Sequence, residues 1–279
     1  MAEHDEIRPR ARERVADAKT VASERMAAAS ERVADAKTAA SDRVADARAA
    51  ASDRVADAKA AAEQFISRQK PRLRGVSHEW AFFVSLGAGA ALVAAAPTAR
   101  ATLAVAIYAA SLSALLGVSA LYHRVTWRRP GARRWMRRLD HSMIFLLIAG
   151  TTTPFAVLVL EGPWARALLI AVWAGAAAGI VVELIWVDAP KWVTTMVYLS
   201  VGWIGVLGFP GIVVSAGVGA GALIAAGGAL YTTGAIVYAR QRPDPNPAVF
   251  GYHEIFHLLV IAAAAAHFAA VAIYALPAG

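Results

Sequence analysis

The chain of 279 residues contains no cysteine. This absence excludes disulfides, thiolate zinc sites and cysteine nucleophiles. Acidic residues are scarce after residue 74, where seven remain: Glu79, Asp140, Glu161, Glu183, Asp188, Asp244 and Glu254. No long apolar run precedes residue 76, so we expect no cleavable signal peptide. Because acids are scarce in this part of the chain, each one within an apolar segment is a candidate functional residue.

Apolar residues are in excess. Hydrophobic side chains make up 58% of the chain, and the mean hydropathy is +0.49. A soluble domain of this length is usually less apolar. The net charge of +8 would suggest nucleic acid in a soluble protein, but in a membrane protein it more often reflects arginines in cytoplasmic loops. We therefore expect a membrane protein with no nucleic-acid partner.

Residues 1–74 form an alanine-rich extension with an 11-residue repeat. The units at 13–23, 31–41, 42–52 and 53–63 begin with ERVADAK or a close variant, and a seven-residue unit occupies 24–30. Eleven residues make about three helical turns, so an apolar stripe drifts slowly around a helix. The repeat predicts a cytoplasmic, amphipathic helix. Its basic flanks favour a lipid surface, whereas its small alanine side chains favour a solvated stalk or a loose coiled coil.

Residues 75–279 contain about seven apolar segments. They are 76–97, 101–122, 140–160, 165–187, 191–209, 212–238 and 253–276. Most approach the roughly 20 residues that a helix needs to cross a bilayer. We predict an all-α fold, a seven-transmembrane helix bundle that follows the helical extension. Six spans is the alternative, because only Phe209-Pro210-Gly211 divides the fifth and sixth segments.

Basic residues predict the orientation of these segments. Arginines and lysines precede the first segment, and arginines are frequent in residues 124–138. The connections on the opposite side of the membrane have only Arg100 and Arg166. The positive-inside rule predicts a cytoplasmic N-terminus and an external C-terminus in a bacterial inner membrane. The short loop 124–138 is tied at both ends, so contact with anionic membrane lipids explains its arginines better than nucleic acid does.

Polar residues occur at the predicted cytoplasmic ends of three segments. Ser119 and His123 lie one turn apart at the end of the second, Asp140 opens the third, and His253 and His257 begin the seventh. The favoured interpretation is Zn²⁺ held by His123, His253 and His257, with water as the fourth ligand. Zinc lowers the pKa of bound water toward about 7. Asp140 would orient or deprotonate this water, and Ser119 would support the site or donate to an oxyanion.

Two other interpretations stay open. The polar groups could satisfy helix ends and contact lipid headgroups. Residues 253–257 also match the zinc-protease pattern H-E-x-x-H, with Glu254 as general base. His78 is expected to cap a helix or support the site, His141 to contact headgroups, and Glu183 to pair with an arginine. His267 lies about 15 Å beyond His257 along a helix, too far to bind the same metal.

Residues from about 72 to 276 resemble the bacterial hemolysin III family, which is related to the progestin and adipoQ receptors and more distantly to alkaline ceramidases. The resemblance rests on SALYHR at 119–124, RRLDHSMIFLLIAGTTTPF at 137–155, APKW at 189–192 and GYHEIFHLL at 251–259. It implies seven helices with a zinc site made from Ser119, His123, Asp140, His253 and His257. The relatives suggest hydrolysis of lipid amides, and the family name implies membrane lysis.

Three functional hypotheses follow. The first is a zinc-dependent hydrolase of lipid-like amides or esters. The second is a non-enzymatic protein of membrane homeostasis or lysis, in which zinc is structural. The third is an intramembrane protease, which requires Glu254 beside the metal. Membrane lipids are the expected partners, and the pattern assigns no oligomeric state.

Overall fold

The structure is a computed structural model that describes residues 7–67 and 71–279. Two compact units divide the chain between residues 68 and 69. Secondary structure in the described residues is helical, apart from one isolated bridge between Asn246 and Phe250. The predicted all-α class is thereby confirmed.

The first unit contains one long helix, α1 (Ile7–Ser67), which includes every copy of the repeat. Alanine is the strongest helix former, and residues 10–67 contain neither glycine nor proline, so nothing in that stretch interrupts the helix. The side chains of residues 30–61 are exposed, including the three valines spaced 11 apart, Val33, Val44 and Val55. The helical extension is confirmed, and its lipid contact stays a prediction.

The second unit contains eight further α-helices in the described residues. They are α2 (Val76–Ala94), α3 (Ala99–Arg124), α4 (Pro130–Pro154), α5 (Gly162–Ile185), α6 (Lys191–Ile204), α7 (Phe209–Ala216), α8 (Val218–Arg240) and α9 (Tyr252–Ala270). A π turn extends α4 to Val159, a 3₁₀ turn joins α6 to α7, and π and 3₁₀ turns extend α9 to Ala278.

These elements form seven segments long and apolar enough to cross a bilayer in the described part of the chain. They are Val76–Ala94, Ala99–Arg124, Pro130–Val159, Gly162–Ile185, Lys191–Ala216, Val218–Arg240 and Tyr252–Ala278. The seven-helix bundle is therefore confirmed, and the alternative of six spans is wrong.

Two predicted boundaries differ from the structure. The third span begins at Pro130 rather than Asp140, because proline suits the first turn of a helix and the arginines that follow are good helix formers. Asp140 therefore lies about 15 Å inside α4. The fifth span continues through Pro210, which occupies the first turn of α7, and the chain breaks at Gly217 with a φ of 89°.

Helix α3 supplies the face on which the site is built. Its buried apolar residues recur every three or four positions, at Ala101, Val105, Tyr108, Leu112, Leu115 and Leu116. Such spacing places them on one side of the helix, which packs on the rest of the core. Ser119 and His123 continue the same series and are buried with it. The apolar periodicity thus turns both polar side chains toward the interior.

Candidate metal centre

Three imidazoles converge where the last turn of α3 meets the first turns of α9. One nitrogen each from His123, His253 and His257, here called the histidine triad, lies within 4.8 Å of the others. His123 is 130 residues from His253 in sequence, yet their Nε2 atoms are 3.2 Å apart. The structure therefore brings together the three residues predicted as metal ligands.

The spacing of the triad is compatible with a bound metal ion. Two nitrogens bound to a tetrahedral zinc at about 2.0–2.1 Å lie roughly 3.3 Å apart, close to the separation of the His123 and His253 nitrogens. The ring centroids of His253 and His257 are 4.6 Å apart with planes inclined by 68°, as rings on adjacent turns of one helix can be when both face the same point. These residues could hold a metal ion, and imidazole donors suit zinc among other transition metals.

Asp140 and Ser119 adjoin the triad. An Asp140 carboxylate oxygen lies 3.7 Å from His123 Nε2, and the Ser119 hydroxyl lies near enough to interact with the Asp140 carboxylate. The Asp140 side chain is 12% exposed and Ser119 is fully enclosed. A carboxylate therefore faces the point on which the imidazoles converge, and a serine hydroxyl can orient it.

Glu254 has a structural position. Its Oε1 forms an ion pair with the Arg74 guanidinium, and its Oε2 accepts a hydrogen bond of 2.8 Å from the Gly251 amide at the start of α9. The Tyr252 amide is satisfied separately by Asp244. One carboxylate oxygen of Glu254 thus caps α9 and the other ties the helix to the segment before α2, which disfavours the protease interpretation.

The chain passes very close to His123 at Gly75, just before α2. Gly75 has a φ of 79°, and a methyl group at this position would lie 2.6 Å from the His123 Cβ. The Arg72 and Leu73 amides donate to the Ala248 and Val249 carbonyls in the loop before α9. This glycine therefore allows the segment before α2 to pack on the triad.

His78 is a fourth imidazole at the site. Its ring stacks on His257 with centroids 3.8 Å apart and planes inclined by 13°, and the side chain is 2% exposed. The sequence signal for His78 was its position in the first turn of α2, at the same end of the bundle as the triad. Glu79 instead pairs with Arg124 at 2.7 Å on the exposed side. His78 therefore fixes the His257 ring from one face.

A second polar cluster lies one residue beyond Asp140. His141 Nδ1 is 3.1 Å from Glu183 Oε2, and the Tyr198 hydroxyl donates to Glu183 Oε1 at 3.0 Å. The expectation of an arginine partner for Glu183 was wrong, whereas the headgroup contact of His141 stays a prediction. The arginine at this end, Arg137, pairs with Asp188, whose pKa is lowered by that hydrogen bond. The cluster links α4, α5 and α6 beside the triad.

Two cavities meet at the histidine triad. The apolar cavity has a volume of about 750 Å³ and extends from Asp140, His253 and His257 to His267, with walls mostly from α4, α6, α8 and α9. The polar pocket has a volume of about 300 Å³ and borders His123, Asp140 and His253. Its other charged residues include Arg74, Arg133, Arg137, Asp188 and Lys191. The triad thus lies between a charged pocket and an apolar cavity.

Fold and site together define a multi-pass membrane protein with a histidine cluster that could bind a metal ion. The family model described as Haemolysin-III related matches residues 66–268, and the chain belongs to this family. The match covers all of α2 to α8 and the triad.

The similar proteins extend from bacteria to mammals. Hemolysin-3 of Bacillus cereus is 33% identical over 180 residues, which cover 64% of this chain and 78% of that protein. The Hemolysin-3 homolog of Bacillus subtilis is 32% identical over 168 residues, 60% of this chain and 75% of the homolog. Human monocyte to macrophage differentiation factor is 29% identical over 170 residues, 59% of this chain and 67% of the factor.

Proposed function

We propose that this chain is a zinc-dependent membrane hydrolase that cleaves an amide or ester bond in a lipid-like substrate. One observation carries the proposal. Three imidazoles and a carboxylate converge at the mouth of a large apolar cavity, where an acyl chain would bind with its polar end at the triad. Cavities of this size and apolarity are typical of sites for apolar ligands.

Each residue of the site would have a separate role in the reaction. His123, His253 and His257 would hold zinc, which when bound acts as a Lewis acid and lowers the pKa of a coordinated water. Asp140 would accept a proton from the attacking water, and the neighbouring Ser119 hydroxyl would orient the carboxylate by donating a hydrogen bond to it. The apolar cavity would exclude bulk water, and the charged residues of the polar pocket would contact the substrate headgroup.

The first experiment measures metal content and turnover on the same detergent-purified samples. We expect about one zinc per wild-type chain and near none in His253→Ala, with hydrolysis of a fluorogenic fatty-acyl amide or ester lost in parallel. Asp140→Asn should lower turnover by about 100- to 10,000-fold, as expected for removal of a general base.

Ser200→Ala is the matched control, because this hydroxyl lies on the exposed side of α6 and bonds only the Met196 carbonyl. Each variant must elute and melt as a folded protein. Unchanged turnover in folded His253→Ala would reject the hydrolase.

A non-enzymatic role is the second candidate, and the position of Asp140 favours it. Its oxygen lies 3.7 Å from His123 Nε2, near enough for Asp140 to become a fourth metal ligand after a small shift. A site closed by four protein ligands is structural. The protein would then maintain or permeabilise membranes, as the name Hemolysin-3 suggests for its Bacillus cereus relative.

The ligands of the bound metal and the release of dye from vesicles distinguish the two candidates. Cobalt substitution followed by X-ray absorption should show three imidazoles plus water for the hydrolase, and three imidazoles plus a carboxylate for the structural site. Dye release from vesicles by wild-type protein, without lipid hydrolysis, would favour the lytic role.

A further inference from the structure

Two buried polar atoms lie without a hydrogen-bond partner at the end of the apolar cavity remote from the triad. They are the Tyr231 hydroxyl on α8 and His267 Nδ1 on α9, and neither has a partner among the described residues. Both side chains line the cavity, with ring centroids 5.5 Å apart. His267 follows His257 by ten residues, about 15 Å along α9.

The hydrogen bonding of His267 determines what its free nitrogen can do. Its Nε2 lies 3.2 Å from the Ile224 carbonyl oxygen, which only accepts hydrogen bonds, so Nε2 carries the proton. In the neutral ring Nδ1 is then an acceptor. The Tyr231 hydroxyl supplies a donor beside it. The cavity wall thus presents one acceptor and one donor close together among apolar side chains.

The fold maintains this arrangement despite its cost. A buried polar group without a partner destabilises the folded state. The His267 ring packs directly over Gly227 of α8, where a methyl group would overlap it. Tyr108 also has a buried hydroxyl without a partner among the described residues, but it does not line the cavity. His78, Thr195 and His257 also line the cavity with unpaired atoms, but they lie in the first turns of their helices, at the triad end. Among the described residues, Tyr231 and His267 therefore offer the unpaired polar atoms remote from the triad that face a bound chain.

We propose that Tyr231 and His267 bind a hydroxyl group carried partway along the chain of a lipid-like ligand whose head lies at the histidine triad. The inference rests on the proposed function only in assigning such a ligand to the cavity. A hydroxyl donates to His267 Nδ1 and accepts from the Tyr231 hydroxyl, so it satisfies both atoms. A ketone satisfies Tyr231 alone, and a methylene satisfies neither.

The test compares binding of three fatty acids to detergent-purified, zinc-loaded protein: 12-hydroxystearate, 12-oxostearate and stearate. The hydroxyl is placed so that an extended chain spans the distance from the triad to His267. Two hydrogen bonds at about 1 kcal/mol each predict that 12-hydroxystearate binds about 30-fold more tightly than stearate, with 12-oxostearate between them. 2-Hydroxystearate, whose hydroxyl lies near the carboxylate, should bind like stearate.

Two variants test the site by different means. Tyr231→Phe removes the donor, and Gly227→Ala displaces the His267 ring without changing its chemistry. Each variant removes one of the two hydrogen bonds and should reduce the preference for 12-hydroxystearate over stearate to about fivefold. Tyr274→Phe is the matched control, because Tyr274 lies outside the cavity wall and should keep the full preference. Equal binding of the three fatty acids to wild type would mean that the two atoms hold water, and would overturn the inference.

The outcome is separable from that of the hydrolase. The ratio of binding constants is measured without turnover, and His253→Ala should lose hydrolysis while keeping the preference for the hydroxylated chain. Preference without any hydrolytic activity in wild type would reject the hydrolase and support the hydroxyl site. Hydrolysis without that preference would support the hydrolase and reject the hydroxyl site.

Discussion

At the scale of single residues, the role of a side chain at the site follows from the atoms that its polar groups contact. Glu254 illustrates why a sequence pattern is weaker than a position. In H-E-x-x-H it reads as a general base, but its two oxygens bind Arg74 and the Gly251 amide. Glu254 therefore belongs to the framework that holds His253 and His257, rather than to the reacting groups.

Glu254→Gln tests that assignment. The substitution keeps an acceptor for Gly251 but removes the charge that pairs with Arg74, so we expect a loss of stability of about 2 kcal/mol. The melting temperature in detergent should fall, whereas zinc content should stay near the wild-type value. Glu161→Gln, at an exposed carboxylate, should change neither quantity. An unaltered melting temperature combined with lost proteolysis would instead favour the protease interpretation.

At the scale of helices, the triad forms because the end of α3, the start of α9 and the segment before α2 approach closely. Gly75 is required at this junction for two reasons: its φ of 79° is unfavourable for other residues, and a side chain would overlap His123. Farther along α2, Gly87 faces open space, with no atom within 4 Å of an added methyl group. The two glycines therefore have different roles in one element.

Gly75→Ala should damage the site, whereas Gly87→Ala should not. The left-handed conformation alone costs a non-glycine residue about 1–2 kcal/mol, and displacement of His123 adds to it. We expect Gly75→Ala to lower both the melting temperature and the zinc content. Gly87→Ala should be neutral or stabilising by up to about 1 kcal/mol, because alanine favours a helix interior. Equal effects of the two substitutions on zinc content would contradict the proposed packing role of Gly75.

At the scale of the whole molecule, the seven spans put the triad, the polar pocket and the arginines of residues 124–138 at one end of the bundle. The positive-inside rule predicts that this end faces the cytoplasm. A lipid-like substrate would then reach the triad from the inner leaflet.

The absence of cysteine allows a direct test of orientation. Thr126→Cys lies between the second and third spans and Ala95→Cys between the first and second, and both positions are exposed. In intact cells a membrane-impermeant maleimide should label the cysteine at 95 but not the one at 126, and inverted vesicles should show the opposite. Labelling of residue 126 in intact cells would reverse the assigned orientation.

The amino-acid sequence by itself determined the helical repeat, the apolar spans and the residues that could bind a metal. These are local properties, because hydropathy over about 20 residues decides whether a helix can cross a bilayer. The ends of the spans were predicted less accurately than the spans themselves. The span containing Pro210 continues because its proline falls in a first turn, and α4 begins at Pro130 for the same reason.

Only the tertiary structure decided which side chains meet. Residues 130 apart in sequence share a site because α3 and α9 pack together, and no periodicity within either helix specifies that neighbour. The stacking of His78 on His257, the pairing of His141 with Glu183 and the unpaired atoms of Tyr231 and His267 arise in the same way. In a bilayer the apolar faces of helices contact lipid as favourably as they contact each other, so hydrophobicity does not choose the partners of a helix. Close packing and buried polar contacts choose them, and both depend on residues far apart in sequence.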